Sequence, residues 1–269
     1  MSITRYIETL RLADTTLDRA PFELLSPLPR TRGAEAVTVA PPPPAAHQPD
    51  NLQAAVNTGS LLSFVDGVSA QDKDDILYSV QLAQRGASGG YDRFTQTQSW
   101  YQKYIEILEN LGWAGEQFAF SHFAQSEGEF RMDKEALAII SAIATQNQLA
   151  ILQESVKALA ALAEEDGAIR LFDFHTSAQA SGNFQLGAVQ KAANGALALA
   201  LGAFYYRSDD ARRRFLFFGW GAQQVDFWTA AQKMTLNTDF YALQCRDSVR
   251  LKLGVKADAY IADLALGDR

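Results

Sequence analysis

Apolar and polar positions divide this 269-residue chain into an arm, a helical half and a strand-rich half. Residues 1–24 offer a small apolar face through Tyr6, Ile7, Leu10 and Leu12, enough for one or two short helices. From Ser26 to Asp50 there are seven prolines, including the run Pro41 to Pro44, and almost no large apolar residue after Leu28. Consecutive prolines hold the backbone extended and unbonded, so 26–50 reads as a linker and 1–50 as a flexible N-terminal arm. A single domain is expected over residues 51–269.

Helical spacing dominates the next hundred residues. Ser69 precedes Asp72 by three positions, an approximate capping box that predicts a helix to about Arg85 with Ile76, Val80 and Leu82 on its buried face. Gly86 to Gly90 ends it. A second helix from about Thr95 carries Trp100, Tyr104, Ile107 and Leu111 at steps of three and four, closed by Gly112. Phe118, Phe120 and His122 alternate like a strand, and a turn through Ser126-Glu127-Gly128 would return Phe130 and Met132 as its hairpin partner. Residues 133–164 read as two helices or one broken helix, with Asp133 as N-cap.

After Gly167 the periodicity shifts. Ile169–Ser177, Asn183–Gln190, Ala196–Tyr206 and Arg214–Trp220 are strand-like runs separated by Gly-, Asn- and Asp-containing turns, and a fifth, Gln223–Leu236, would pair with the fourth. In the third run Leu197, Leu199, Leu201 and Tyr205 point one way, while Ala196, Ala198, Ala200 and Gly202 point the other. Small residues on that second face invite a closely approaching helix. Asn237 or Thr238 should cap a closing helix to Leu253, followed by a short helix over Tyr260–Leu264. The expected fold class is α+β: a helical N-terminal half packed on a roughly five-stranded antiparallel meander sheet, closed by a C-terminal helix.

Composition narrows the function classes. Hydrophobic residues at 48% and charged residues at 20% supply an ordinary globular core. A formal net charge of −7 opposes nucleic-acid binding, which needs a basic surface. The single cysteine, Cys245, excludes an internal disulfide. The N-terminus lacks the basic start and continuous apolar run of a secretory signal, and the most apolar helical stretch, Ala136 to Ala144, is too short to span a bilayer. A soluble, cytoplasmic product is therefore expected as synthesised, with any export by a route independent of a signal peptide.

Candidate chemistry is sparse. Asp173, His175 and Ser177 alternate and would share one face of a strand, the residue types of an activated nucleophile. Yet they would lie about 7 Å apart along the strand and no G-x-S-x-G elbow accompanies them, so a polar strand end is the plainer reading. No metal is expected, since His47, His122 and His175 belong to no ligand spacing. Arg212, Arg213 and Arg214 form a basic cluster open to an anionic surface or simply a solvated corner. Tyr241, Cys245, Val249 and Leu253 recur at steps of four, so the thiol should face inward as a small hydrophobe, or open into an apolar cavity.

The stretch Asn51 to Trp113, with SFVDGVSAQDKDDILYSVQLAQR and YDRFTQTQSWYQKYIEILENLGW, resembles a block found in uncharacterised microbial proteins and in the Erwinia virulence-factor (Evf) family. The tail with ALGAFYY, RRRFLFFGW and FWTAAQKMTLN resembles part of the same block. The resemblance implies an unusual α/β fold carrying a fatty acid thioester on cysteine, for which Cys245 is the only possible carrier, and no other cofactor. The function expected is that of a non-enzymatic virulence, toxin or effector protein. It would act through lipid or membrane contact, or through a protein partner docked on residues 1–50. The alternatives are a hydrolase using His175 with Asp173 or Ser177, and a ligand-binding or scaffold domain.

Overall fold

The computed structural model describes residues 2–13, 48–116, 118–123, 129–178, 181–208, 215–217, 219–221 and 225–266. The Leu/Ala alternation that marks residues 197–202 becomes part of β8 (Leu197–Ser208), which lies between β7 (Ser181–Lys191) and β10 (Val225–Leu236) in two long antiparallel ladders. This three-stranded unit is the part of the roughly five-stranded meander expected from the sequence that forms among the described residues. Short connections such as Ala192–Ala196, where Gly195 takes φ 84°, permit it.

The sheet extends further than the sequence predicts. β1 (Ala54–Asn57) and β2 (Ser60–Phe64) form a hairpin whose outer edge takes β11 (Ile261–Leu264) and whose inner strand pairs in parallel with β7. β3 (Trp113–Gly115) and β4 (Ser121–Phe123) both pair with β10, and β6 (Ser177–Ala178) with β7. The result is a nine-stranded, open mixed sheet of order β11-β1-β2-β7-β8-β10-β3, with β4 and β6 attached beside that path. A separate pair joins β5 (Glu129–Arg131) to β9 (Gly219–Gly221).

Helices cover both faces, and the class is α+β. On one face lie α1 (Ile3–Thr9), α2 (Ala70–Ser88), α3 (Thr97–Asn110) and the closing segment formed by α7 (Thr238–Phe240), a wide π-type turn at Tyr241–Cys245 and α8 (Arg246–Leu253). Their apolar stripes meet Leu62, Val189, Leu197, Leu199, Leu201 and Met234. The opposite face receives α4 (Met132–Ser141), α5 (Gln146–Ala161) and α6 (Gly167–Thr176) against Phe184, Leu186, Ala200, Phe204 and Phe227. The small-residue face does admit a helix. A methyl group on Gly202 would lie 2.7 Å from Ile140 Cγ1 of α4. Burial of each such large apolar side chain contributes about 1.5–3 kcal/mol, so the two layers dominate stability.

Several expectations are corrected. Residues 169–177 are not a strand but mostly α6, because Asp166 caps its N-terminus (Ala168 N–H to Oδ1, 2.8 Å) and Ala168, Ile169 and Phe172 pack at helical spacing. Residues 51–64, where the sequence predicts no particular element, hold a hairpin; every residue of both strands is buried, so no alternation marks them. Tyr260–Leu264 is largely the edge strand β11, held by β1. The hairpin expected around 126–128 does not form, since β4 pairs with β10 and β5 with β9. Residues 215–217 form a 3₁₀ turn, and β10 pairs with β8 rather than with the 214–220 run. Arg131, not Asp133, occupies the cap of α4, and Asp133 pairs with it at 2.9 Å.

The start of the expected arm is anchored to the body. Ile7 and Leu10 are buried, Ala13 N–H donates to Arg85 O (3.0 Å), and Lys252 Nζ donates to Glu8 O (2.6 Å). Most of the proline-rich stretch lies outside the described residues.

Candidate functional site

The Asp173, His175 and Ser177 trio does not assemble. On a helix, positions two apart diverge by about 200°, so the shared face that a strand would provide is lost. Ser177 N–H bonds the Asp173 carbonyl as the C-cap of α6, while the Ser177 side chain turns toward Tyr206. No hydrogen bond joins His175 to Asp173 or to Ser177 among the described residues. His175, 5% exposed, packs against Phe174 and Tyr260, with ring centroids at 4.9 and 6.0 Å. Burial, then the charges of Arg93 and Arg85, push its pKa down to about 3. A neutral imidazole that resists protonation is a poor acid–base shuttle at neutral pH.

His175 instead borders a polar seam that sequence reasoning missed. The hairpin β1–β2 turns through Thr58 and Gly59, and Thr58 has φ 56°, the only non-glycine with positive φ among the described residues. Gln84 of α2 binds this turn from beneath: Gly59 N–H donates to its Oε1 (3.1 Å), and its Nε2 donates to Asn57 O (3.0 Å) and Ser60 Oγ (3.1 Å). Ser60 Oγ in turn donates to Gln185 Oε1 on β7. From the α2–α3 connection Arg93 reaches in. Its Nη2 donates to Asn183 O (3.0 Å) and Oδ1 (3.3 Å), and Asn183 Nδ2 returns a bond to Arg93 O (2.7 Å). Tyr101 donates to the same Asn183 Oδ1 at 2.7 Å, and the Arg93 guanidinium lies 4.6 Å above the Trp100 ring. Burial holds the phenols of Tyr101 and Tyr104 well above their ordinary pKa, so both are neutral. The only sequence signal for this seam was polar residues interrupting apolar runs at 84–85, 93, 183 and 185, a pattern with no motif behind it.

Cys245 lies where the helical stripe placed it. It is buried with Tyr241, Val249 and Leu253, and burial pushes its thiol up to about 12, leaving it neutral and unreactive while the core stays closed. It ends the π-type turn. The same closing segment carries a second row, offset by two positions. Leu243 and Leu251 are 80% and 82% exposed and Val255 fully so, with the exposed acid Asp247 between the two leucines; Phe240 precedes the row and lies beside Gly112. Arg246 forms a bidentate pair with buried Asp75 (2.9 and 2.6 Å), and Arg250 pairs with Asp74 at 3.0 Å, tying the segment to α2.

Elsewhere, His122, Trp228, Tyr205 and Arg207 form an aromatic and cationic patch across β4, β10 and β8, with Arg207 Nε donating to Tyr205 Oη (2.6 Å). Among the described residues, no group of three or more His, Cys, Asp or Glu could hold a metal ion, and no helix is long and apolar enough to cross a membrane. Arg212, Arg213 and Arg214 lie outside the described residues.

A sheet covered by helices on both faces, with its polar groups gathered in an internal seam, defines the class only as a layered α+β protein. No protein-family model and no curated protein sequence matches the chain. Among solved structures it is similar to a delta-endotoxin (TM-score 0.41, 10% identity, covering 81% of this chain and 97% of that one). It is also similar to the activated Cyt2Ba monomer from Bacillus thuringiensis subsp. israelensis (TM-score 0.40, 12% identity, 67% and 97% covered). The Evf virulence factor, of the family the sequence resembles, follows with TM-score 0.33, 8% identity and 79% and 85% covered. These are distant likenesses of fold.

Proposed function

We propose that this is a non-enzymatic, toxin- or effector-type protein that works by contact with a lipid surface, through the exposed row on its closing helical segment. The supporting observation is the concentration of exposed apolar side chains. Of five exposed large hydrophobic residues among those described, four (Phe240, Leu243, Leu251 and Val255) fall within residues 240–255. Tyr241, Cys245, Val249 and Leu253 face the core, so Leu243 and Leu251 project away from it. α8 carries Arg246, Arg250 and Lys252 against one acid, Asp247, in a chain of net charge −7. Arg246 and Arg250 are paired with Asp75 and Asp74, so Lys252 beside Leu251 is the basic group that favours an anionic bilayer, while the exposed apolar side chains suit a lipid interface better than a purely aqueous surface.

Flotation of the full chain with vesicles of phosphatidylcholine alone, or mixed with phosphatidylserine, tests this reading. Binding should favour the anionic vesicles and fall at least tenfold in L243S/L251S/V255S, with an unchanged melting temperature. Failure of the parent chain to float with either vesicle would overturn the reading and leave the row to a protein partner.

A fatty acyl thioester at Cys245 is a second reading, favoured by the π-type turn that ends at this thiol; such turns often occur at functional positions. The chain would have to enter the apolar layer around Tyr241 and Val249. Intact mass before and after hydroxylamine decides it: a hydroxylamine-sensitive acyl mass absent from Cys245→Ser supports it, and an unmodified mass removes it.

A further inference from the structure

We infer that the seam around Arg93 is an internal binding site for a small monovalent anion, chloride or a carboxylate of comparable size. Arg93 is 8% exposed, and all its hydrogen-bonded partners are uncharged: one carbonyl and one amide oxygen of Asn183. Trp100 covers one face of the guanidinium, and Gly59 closes against its end so tightly that an added Cβ would lie 2.4 Å from Nη1. The adjacent acid, Asp92, acts on Arg93 through space only: it is exposed, and its Oδ1 accepts from Phe94 N–H and Thr95 N–H (2.9 and 2.8 Å). Burial lowers the Arg93 pKa only to about 10, so the group is still a cation at neutral pH. A buried cation bonded only to neutral acceptors is costly unless a counter-charge reaches it.

Donors with no partner within the protein point to where that counter-charge belongs. Arg93 Nε, Gln185 Nε2 and the Tyr104 hydroxyl are buried and make no hydrogen bond among the described residues, and His175 Nε2 is in the same condition. These groups come from the α2–α3 connection, β7, α3 and α6; Asn183 links Arg93 to Tyr101, Ser60 bonds Gln185, and Tyr104 stacks on the Trp100 ring that covers Arg93. Arg93 acts electrostatically on His175, Tyr101 and Tyr104, and Gln185 approaches the Tyr101 hydroxyl without reaching hydrogen-bond geometry. Arg85, stacked 4.6 Å over Tyr260, adds a second positive charge on the His175 side. An unsatisfied buried donor is destabilising, and a single monovalent anion would satisfy donors of this seam while neutralising Arg93. With His175 neutral, the local charge does not call for a divalent oxyanion.

Thermal unfolding of the full chain reads the site, because an anion bound to the folded state and released on unfolding raises the midpoint. Chloride and formate titrations, with gluconate holding ionic strength constant, should each raise the midpoint by several degrees and saturate. The better of the two identifies the source. In Gln185→Leu the half-saturating concentration should rise at least threefold, and in Arg93→Met the dependence should vanish. Should Arg93→Met fail to fold, a bromide-soaked crystal of the parent chain decides: an anomalous peak within hydrogen-bond distance of Arg93 Nε supports the site. Midpoints identical in all anions, or an anion effect undiminished in Gln185→Leu with bromide found only at the surface, would overturn it.

Discussion

Gly59 and Arg93 are in van der Waals contact through the bare Cα of the hairpin turn: a methyl group on Gly59 would sit 2.4 Å from Arg93 Nη1 and 2.6 Å from Nη2. The guanidinium cannot retreat, because Trp100 covers its face and Asn183 holds its other edge. Gly59→Ala should therefore destabilise the protein by about 1–3 kcal/mol, the usual cost of overpacking, as a lower midpoint in urea with unchanged slope.

His175 gives stability a direction with pH. Its folded pKa, about 3, lies below the ordinary value of 6.5, so the unfolded chain binds the proton more readily. This contribution is complete above about pH 6.5 and drains away as pH falls toward 3, by up to about 1.4 kcal/mol per unit. Arg93, Arg85, Phe174 and Tyr260 surround the ring and offer no carboxylate to offset the charge. His175→Gln should flatten the stability profile between pH 6 and 4, measured by urea melts at each pH.

The Asp75–Arg246 pair clamps the closing helical segment onto α2. Asp75 is buried, and desolvation raises its pKa even against the pull of Arg246. Arg246→Met would strand that carboxyl without its partner, costing about 3 kcal/mol at neutral pH. Since the protonated acid tolerates burial, the penalty should shrink as pH falls, and a matched pair of melts at pH 7 and pH 4 would show it.

Ile7 tests whether the N-terminal segment belongs to the fold. Its side chain is fully buried among the helices of one face, so Ile7→Ala should cost about 2–4 kcal/mol in thermal or urea unfolding. A change within experimental error would return residues 2–13 to the status of an arm.

Cys245 should resist a thiol reagent in the native protein and react fully in guanidinium, given its burial and a pKa pushed up to about 12. A thiol that is still unreactive after unfolding, but released by hydroxylamine, would mark an acylated side chain.

Long periodic segments were legible from residues alone. The capping box of α2 and the four-step stripe of the closing helix are local: Ser69 accepts from Asp72 N–H, and Tyr241, Cys245, Val249 and Leu253 align through backbone geometry. So is the alternation of β8, which declares two covered faces by its Leu and Ala rows. The inward orientation of Cys245 followed from that geometry, as did the helical coverage of the sheet.

Tertiary structure decided what short segments with ambiguous spacing became. Residues 54–57 and 60–64 are strands because β7 and β11 supply partners from more than a hundred residues away, and 261–264 is a strand because β1 waits beside it. Conversely, Ile169 to Thr176 alternates like a strand yet coils, since Asp166 caps it and the second apolar layer receives it at helical spacing. The Arg93 seam illustrates the same limit. Arg93, Gln185 and His175 are isolated in sequence, and only the parallel crossover from β2 to β7, with α2, α3 and α6 packed around it, brings Arg93 onto Asn183 of the strand that carries Gln185 and within electrostatic reach of His175. Local sequence encodes period and caps; which polar groups share one dry interior depends on the long-range pairing.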